Sequence, residues 1–209
     1  MIFKVQSYGL QKPSAVISLR CPNCRQQGTF STIGNAQDVL LPPSLYLGQR
    51  QCPNPSCLAH VFFAWDSGKL LTSYPAERID FDSTAIPPAV VSALEEAITC
   101  HANRCFVASA IMIGKTLEEL CRDRGATGKN LKERLTALGT KIVLPQELLN
   151  GLDNMRLLGN DAAHIDSKEY QQVGQEEVEV GIMFAKEVLK AVYQYTTLLD
   201  RLKSLKKIP

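Results

Sequence analysis

Two pairs of closely spaced cysteines constrain the fold of this 209-residue chain more than any other feature. Cys21 and Cys24 enclose two residues, Cys52 and Cys57 enclose four, and 27 residues separate the pairs. Each pair follows a short apolar segment of strand-like composition, so two strand ends can bring the four sulfurs together. Four thiolates in a closed tetrahedral shell are typical of structural zinc sites. The sequence therefore predicts that these four cysteines hold a structural zinc ion.

Other uses of the four cysteines fit the sequence less well. The N-terminal residues lack the pattern of a signal peptide, so we expect a cytoplasmic protein, in which disulfides are rare. A redox Cys-x-x-Cys pair needs a helix behind it, and none is predicted there. His60 is the alternative fourth ligand, but it begins the next predicted strand, whereas Cys52 and Cys57 bracket a turn. The remaining cysteines lie on predicted helical stripes without ligand spacing, and we expect buried thiols at these positions: Cys100, Cys105 and Cys121.

The distribution of proline divides the chain in two. Nine of the 11 prolines lie at or before Pro88, and proline disrupts helix interiors. The sequence therefore predicts an α+β protein with a small β-rich zinc ribbon at 1–84 and an all-α bundle of about five helices at 85–209. Hydrophobic residues make up 45% of the chain, enough for a packed core.

Short strands are predicted in the first domain. Their ranges are Val16–Leu19, Thr29–Ile33, Leu45–Leu47, Val61–Trp65 and Leu70–Tyr74. A hairpin turn at Asp66-Ser67-Gly68 joins the last two, and 34–44 is predicted to be an irregular loop. We expect four aromatic residues to form the core of the ribbon, with base stacking as the alternative: Phe62, Phe63, Trp65 and Tyr74.

Apolar residues at helical spacing predict five helices in the second domain. The first helix begins at Pro87-Pro88, and the second carries Val107 to Cys121. The third spans Leu131 to Gly139, the fourth begins at Pro145, and the fifth covers roughly 175–205. The buried face of the fifth helix is predicted to continue through Tyr195, Leu199 and Leu202. Its length and its apolar residues on two faces favour a homodimer.

One segment of the fourth helix combines a cation, an amide and an imidazole. Arg156, Asn160 and His164 are spaced at i, i+4 and i+8, so a continuous helix places them on one face. Such a set can bind a phosphate and assist proton transfer. The alternative is a buried polar network in which each group bonds its neighbours.

The second domain resembles the domain-of-unknown-function 4145 family over about 120 residues. Four segments carry the resemblance: Glu95-Glu96-Ala97, Leu117-Glu118-Glu119-Leu120, Leu131 to Leu138, and Arg156 to His164. The family is similar to HEPN domains, helical bundles that usually dimerise and are often metal-independent ribonucleases of toxin and defence systems. Their motif is arginine, a polar residue, three others and histidine. Asn160 and His164 match it, whereas Gly159 occupies the arginine position and Arg156 lies one helical turn earlier.

Three functions follow as hypotheses. The resemblance implies a dimeric module that associates with RNA or DNA in a bacterial defence or stress system. It also implies an alternative, a ribonuclease in which Arg156, Asn160 and His164 are catalytic. The third is a protein-interaction or scaffold module without catalysis. The net charge of +2 gives no general argument for nucleic acid, and no apolar run approaches the roughly 20 residues of a membrane span.

Overall fold

The computed structural model describes residues 5–142, 144–164 and 173–205. Its contacts divide the chain into two compact units, Met1–Asp80 and Phe81–Pro209. The first is rich in β-strands and contains the cysteine cluster, and the second is helical. The predicted α+β class is therefore confirmed.

Two antiparallel sheets form the N-terminal unit. One has five strands in the order β1-β4-β5-β6-β7, and the other pairs β2 with β3. The strands are β1 (Gly9–Gln11), β2 (Ile17–Arg20), β3 (Gln27–Phe30), β4 (Asp38–Leu41), β5 (Leu45–Gln51), β6 (His60–Asp66) and β7 (Lys69–Tyr74). Ser67 and Gly68 both have positive φ angles, 48° and 85°, as a two-residue hairpin turn requires. The predicted hairpin is thus confirmed.

The prediction that 34–44 is an irregular loop is wrong, because β4 lies within it. Asp38 begins this strand and accepts two hydrogen bonds from the Arg50 guanidinium on β5, at 2.8 and 2.7 Å. Both side chains are buried. A buried ion pair is stable only when well-placed hydrogen bonds offset the loss of water, as the two bonds do here. This contact between neighbouring strands is not visible in the local sequence.

The core of this unit lies between the two sheets. Its largest buried residues are Ile17, Leu19, Phe30, Val61 and Phe63, and the thiols of Cys21 and Cys52 are buried with them. Of the four aromatic residues predicted in the core, Phe63 is buried and Trp65 packs partly against it. The prediction is wrong for Phe62 and Tyr74, which are 57% and 72% exposed. Strand side chains alternate between faces, so Phe62 points away from the core that Val61 and Phe63 enter.

Five helices form the described part of the second unit. They are α1 (Pro88–Ala102), α2 (Phe106–Asp123), α3 (Leu131–Gly139), α4 (Gln146–Ala163), and a last helix that comprises α5 (Gln175–Leu189), a π-helical turn (Lys190–Gln194) and α6 (Tyr195–Ser204). The predicted starts at Pro87-Pro88 and Pro145 are confirmed. Proline suits these positions because its missing N–H costs nothing in a first helical turn.

The π-helical turn corrects the predicted face of the last helix. Tyr195, Leu199 and Leu202 are 46%, 55% and 62% exposed rather than buried. A π turn holds more residues than an α turn and therefore rotates the face that follows it. The turn is anchored by Tyr193, which donates a hydrogen bond to Asp123 at 2.8 Å and lies under the Arg124 guanidinium.

Helices α2 and α4 pack closely at two glycines. A Cβ atom added to Gly159 would lie 3.2 Å from the carbonyl oxygen of Ala110 and 3.4 Å from the Cα of Gly114. These are backbone atoms, which cannot rotate away. The contact fixes α4 against α2 and places Arg156 and Asn160, on the adjoining turns of α4, at the margin of the packed surface.

None of the helices in 5–142, 144–164 and 173–205 combines the length and the apolar character needed to cross a membrane.

Candidate functional site

The four predicted cysteines converge at one edge of the N-terminal unit. Their sulfur atoms all lie within 4.8 Å of one another. The Sγ atoms of Cys21 and Cys57 are 3.7 Å apart, as are those of Cys24 and Cys52. All four are free thiols. A tetrahedral ion with metal–sulfur bonds near 2.3 Å separates its ligands by about 3.8 Å, and the two 3.7 Å separations match this value.

Each cysteine pair lies in a tight turn of similar construction. The residue after each pair has a positive φ angle, 63° at Arg25 and 49° at Leu58. Backbone bonds close both turns: Cys21 N–H donates to the Gln26 carbonyl, and Cys52 N–H donates to that of Ala59. The wider spacing of the second pair is taken up within its turn, where Cys57 and Leu58 N–H groups both donate to Asn54.

Electrostatics around the sulfurs favour thiolates only in part. Burial raises the pKa of the Cys21 thiol, and backbone N–H groups of Cys24 and Asn23 oppose it. Burial also raises the pKa of Cys52, to about 12. A hydrogen bond from the Asn23 amide, 3.3 Å from the sulfur, lowers the pKa of Cys57 to about 6. Without a cation the buried thiols therefore keep their protons at neutral pH, and metal binding would release them.

The other candidate ligands lie outside this cluster. His60 is exposed on β6 and its Nε2 lies 3.3 Å from the Gln51 amide. The prediction of three buried thiols in the helical unit holds for Cys121 alone, because Cys100 is half-buried and Cys105 is exposed. Cys105 precedes the first residue of α2 and therefore lies outside the helical stripe that the sequence suggested.

A second candidate site is an open groove of about 480 Å³ on the helical unit, between α2, the start of α3 and α4. Its floor contains the two packed glycines, Gly114 and Gly159. Its remaining lining residues are Ile111, Lys115, Glu118, Asn130, Leu131, Lys132, Arg156 and Asn160. Neither glycine places a side chain in the groove, and Gly159 is buried against α2.

Positive charge prevails in the groove. Three cations, Lys115, Lys132 and Arg156, face one lining carboxylate, Glu118. Lys115 lies 3.5 Å from Glu118 and 3.2 Å from Glu119, so its charge is largely balanced. Arg156 donates through Nε to Asp153 at 2.7 Å, and this bond lowers the pKa of Asp153. Arg156 and Lys132 share this one carboxylate, so the two cations together keep a net positive charge.

The structure brings together two of the three predicted catalytic residues. Arg156 and Asn160 line the groove, whereas His164 is not among its lining residues. Helix α4 ends at Ala163, and His164 is exposed with extended backbone angles, φ −129° and ψ 126°. The predicted helical spacing of all three is therefore wrong at its last position. The exposed imidazole also excludes the alternative in which His164 belongs to a buried network.

Sequence reasoning missed the contribution of α3 to the groove. Lys132 and Asn130 reach it because the Asn130 side chain accepts a hydrogen bond from Glu133 N–H and starts α3 at the margin of α2. The signal was present as an Asn-x-x-Glu capping pattern.

Residues 115–141 also carry seven Lys and Arg against four Asp and Glu, a local excess hidden by the neutral balance of the whole domain.

Comparison with known proteins identifies the helical unit. A family model described as "Domain of unknown function (DUF4145)" matches residues 95–207, slightly more than half of the chain. No match was found among curated proteins, and none among solved structures.

Proposed function

We propose that this chain, which belongs to the DUF4145 family of domains of unknown function, is a zinc-containing module that binds a nucleic-acid strand in its helical groove. The HEPN-like character implied by its sequence is part of this proposal. The observation that carries it is the groove of α2, α3 and α4, where Arg156, Asn160 and Lys132 surround a glycine floor.

The four-cysteine cluster supports zinc as the resident metal. Thiolates are soft ligands, and four sulfurs within 4.8 Å of one another, with two of their separations at 3.7 Å, suit a zinc ion. Four protein ligands leave no open position for a substrate. Cys21, Cys24, Cys52 and Cys57 would therefore hold a structural ion that fixes the two turns of the N-terminal unit.

The chemistry of the groove favours a phosphodiester ligand. Arginine and lysine bind phosphate oxygens, and asparagine adds donors and acceptors for sugars or bases. The groove is open to solvent rather than enclosed, unlike the cavities that surround most of a small cofactor. A flexible strand that lays its phosphates along Lys132 and Arg156 fits these features.

The groove proposal is tested by removing single charges. Lys132→Gln and Arg156→Gln are each expected to weaken binding of a labelled single-stranded RNA or DNA about tenfold. Each change should also make the slope of the logarithm of affinity against the logarithm of salt concentration shallower by about one, because one phosphate contact is lost. Fluorescence anisotropy at several salt concentrations measures both quantities.

Lys12→Gln is the matched control. It removes the same charge from an exposed position just after β1, outside the groove, and it should leave the affinity within twofold. If the groove variants bind as the wild type does, or if the wild type binds no strand, the proposal is wrong.

A ribonuclease activity receives less support from the structure. The arginine position of the HEPN motif is Gly159, which is buried against the backbone of α2. His164 lies past the end of the helix that carries Arg156 and Asn160. Binding therefore requires only groups that meet in the groove, whereas cleavage also requires a histidine that is not placed there.

We also propose that the exposed apolar face of α6 contacts a second copy of the chain. Leu198, Leu199 and Leu202 are each more than half exposed. The last helix begins with Glu176 and Glu177 and ends near Arg201 and Lys203. Two copies packed antiparallel along this helix would therefore pair opposite charges at both ends while burying the leucines.

The double variant Leu199→Lys/Leu202→Lys is expected to weaken this dimer at least about hundredfold, because four buried leucines are lost per pair of chains. Light scattering during size-exclusion chromatography measures the mass. Val107→Lys, at an exposed apolar position of α2, should leave the dimer intact. A wild type that is monomeric at every accessible concentration would contradict the proposal.

A further inference from the structure

Two aromatic side chains stand next to each other on the outer face of the five-stranded sheet. Phe62 on β6 and Tyr74 on β7 are direct partners across the two strands. They are 57% and 72% exposed. Cross-strand partners have their Cβ atoms about 5 Å apart, so the two rings lie side by side on this face, and we call them the ring pair. In the part of the chain that the structure describes, neither ring contacts another aromatic ring.

Polar side chains able to form hydrogen bonds surround the ring pair. Gln49 is the partner of Phe62 on β5, and the next row of the same face pairs Gln51 with His60. On the other side, Thr72 pairs with Ala64. The strand positions in these rows carry no carboxylate. Asp66 lies at the turn end of the hairpin and accepts a hydrogen bond from the Ser44 hydroxyl.

The exposed apolar area of this face is concentrated in the two rings. Leu47 is half-buried and Ala64 is buried, while the exposed Leu10 lies on β1 at the opposite edge of the sheet. A stable protein interface needs roughly 800 Å² on each partner, far more than two ring faces provide. Two flat rings with amide and imidazole groups beside them match one or two nucleobases in size and chemistry.

We infer that the ring pair is a stacking platform for unpaired bases of a single-stranded nucleic acid. The inference rests on the proposed association with nucleic acid and assigns the bases, rather than the phosphates, to the N-terminal unit. Tyr74 is the last residue of β7, which is an edge strand of the sheet. A single-stranded nucleic acid can therefore reach the two rings without crossing the sheet. Gln49, Gln51 and His60 lie within the adjoining rows, where they offer donors and acceptors to base edges.

Binding to strands with and without bases tests this inference in the full chain loaded with zinc. Phe62→Ala and Tyr74→Ala are each expected to weaken binding of a short single-stranded oligonucleotide about tenfold, the value of one base–aromatic stack. Neither should alter binding of an abasic strand of the same length, which keeps the phosphates. Phe62→Trp and Tyr74→Phe should restore affinity, because each retains a flat ring. Leu10→Ala is the control on the same face.

The outcomes separate this inference from the proposed groove. Loss of binding in Lys132→Gln and Arg156→Gln, with full binding in the two alanine variants, overturns the ring pair and leaves the groove. Loss of binding in the two alanine variants, with full binding in Lys132→Gln and Arg156→Gln, supports the ring pair and overturns the groove. A wild type that binds abasic and normal strands equally, or binds neither, also overturns the ring pair. A change in oligomeric mass caused by the alanine variants, with unchanged oligonucleotide affinity, would assign the face to a protein contact instead.

Discussion

Removal of the metal is expected to unfold the N-terminal unit and to leave the helical unit folded. Zinc bound by four cysteines contributes roughly 10 kcal/mol or more to the folding of a small domain. A domain of this size has a stability of about 5 to 10 kcal/mol in total. Cys21 and Cys52 lie within the same buried cluster as Ile17, Leu19 and Phe30, so loss of the ion also opens the apolar core.

Separate optical signals report on the two units. Trp65 is the single tryptophan of the chain and packs against the core of the N-terminal unit. Its fluorescence should shift to the red on treatment with a strong chelator or in Cys21→Ser. The circular dichroism of the helices should persist, because none of the described residues of the helical unit belongs to the cysteine cluster. Elemental analysis should find one zinc per wild-type chain and none in the variant.

Cys105→Ser is the matched control for this experiment. Cys105 is exposed outside the cluster, at a helix start where serine is favourable. This variant should keep its zinc and its Trp65 emission. A wild-type protein that loses its metal but keeps a native emission spectrum would show that the ion does not stabilise the fold, and a metal-free native protein would exclude the site.

The convergence of the four cysteines was predictable because most of the information for it is local. Cys21 and Cys24 form one turn, Cys52 and Cys57 form the other, and each turn closes through its own backbone hydrogen bonds. Tertiary structure adds only the approach of two strand ends. The same holds for helix starts at Pro88 and Pro145, where the fixed φ of proline marks the first turn.

Features that depend on distant partners were not predictable. Strand β4 is joined to β5 by the buried contact of Asp38 with Arg50, and neither residue has a strand-forming preference that would reveal it. The exposure of Leu199 follows from a π turn whose anchor, Tyr193, bonds a residue 70 positions earlier. A periodicity of 3.6 residues applied through such a turn assigns the wrong face to everything after it.

The groove shows how the two kinds of information combine. Arg156 and Asn160 were correctly placed on one face because they share a regular helix, whereas His164 was misplaced because the helix stops one residue earlier. Lys132 enters the groove from α3, while α4 is held against α2 by a contact at Gly159 that leaves no room for a side chain. The groove therefore depends on a helix contact that involves none of the residues proposed to bind the ligand.

Introducing the arginine of the HEPN motif by Gly159→Arg is expected to destabilise the helical unit by about 3 kcal/mol or more. The side chain has no space, because even its Cβ would lie 3.2 Å from the Ala110 carbonyl oxygen. The helices must separate, and a cation enters a buried position without a partner. Thermal unfolding followed by circular dichroism measures the loss, and RNA cleavage by the purified variant tests whether the arginine restores a nuclease.

Gly114→Ala provides the matched control on the opposite helix. A Cβ added there meets only the Gly159 Cα, at an ordinary 3.9 Å, so the variant should fold normally and gain up to about 1 kcal/mol from helix propensity. The two glycines face each other across the same helix contact. If Gly159→Arg is unstable and Gly114→Ala is stable, the cause is the close contact at Gly159 and not the presence of any side chain between α2 and α4. If Gly159→Arg is as stable as the wild type and cleaves RNA in a manner that requires His164, then position 159 faces a catalytic cleft and the assignment of Gly159 to helix packing is wrong.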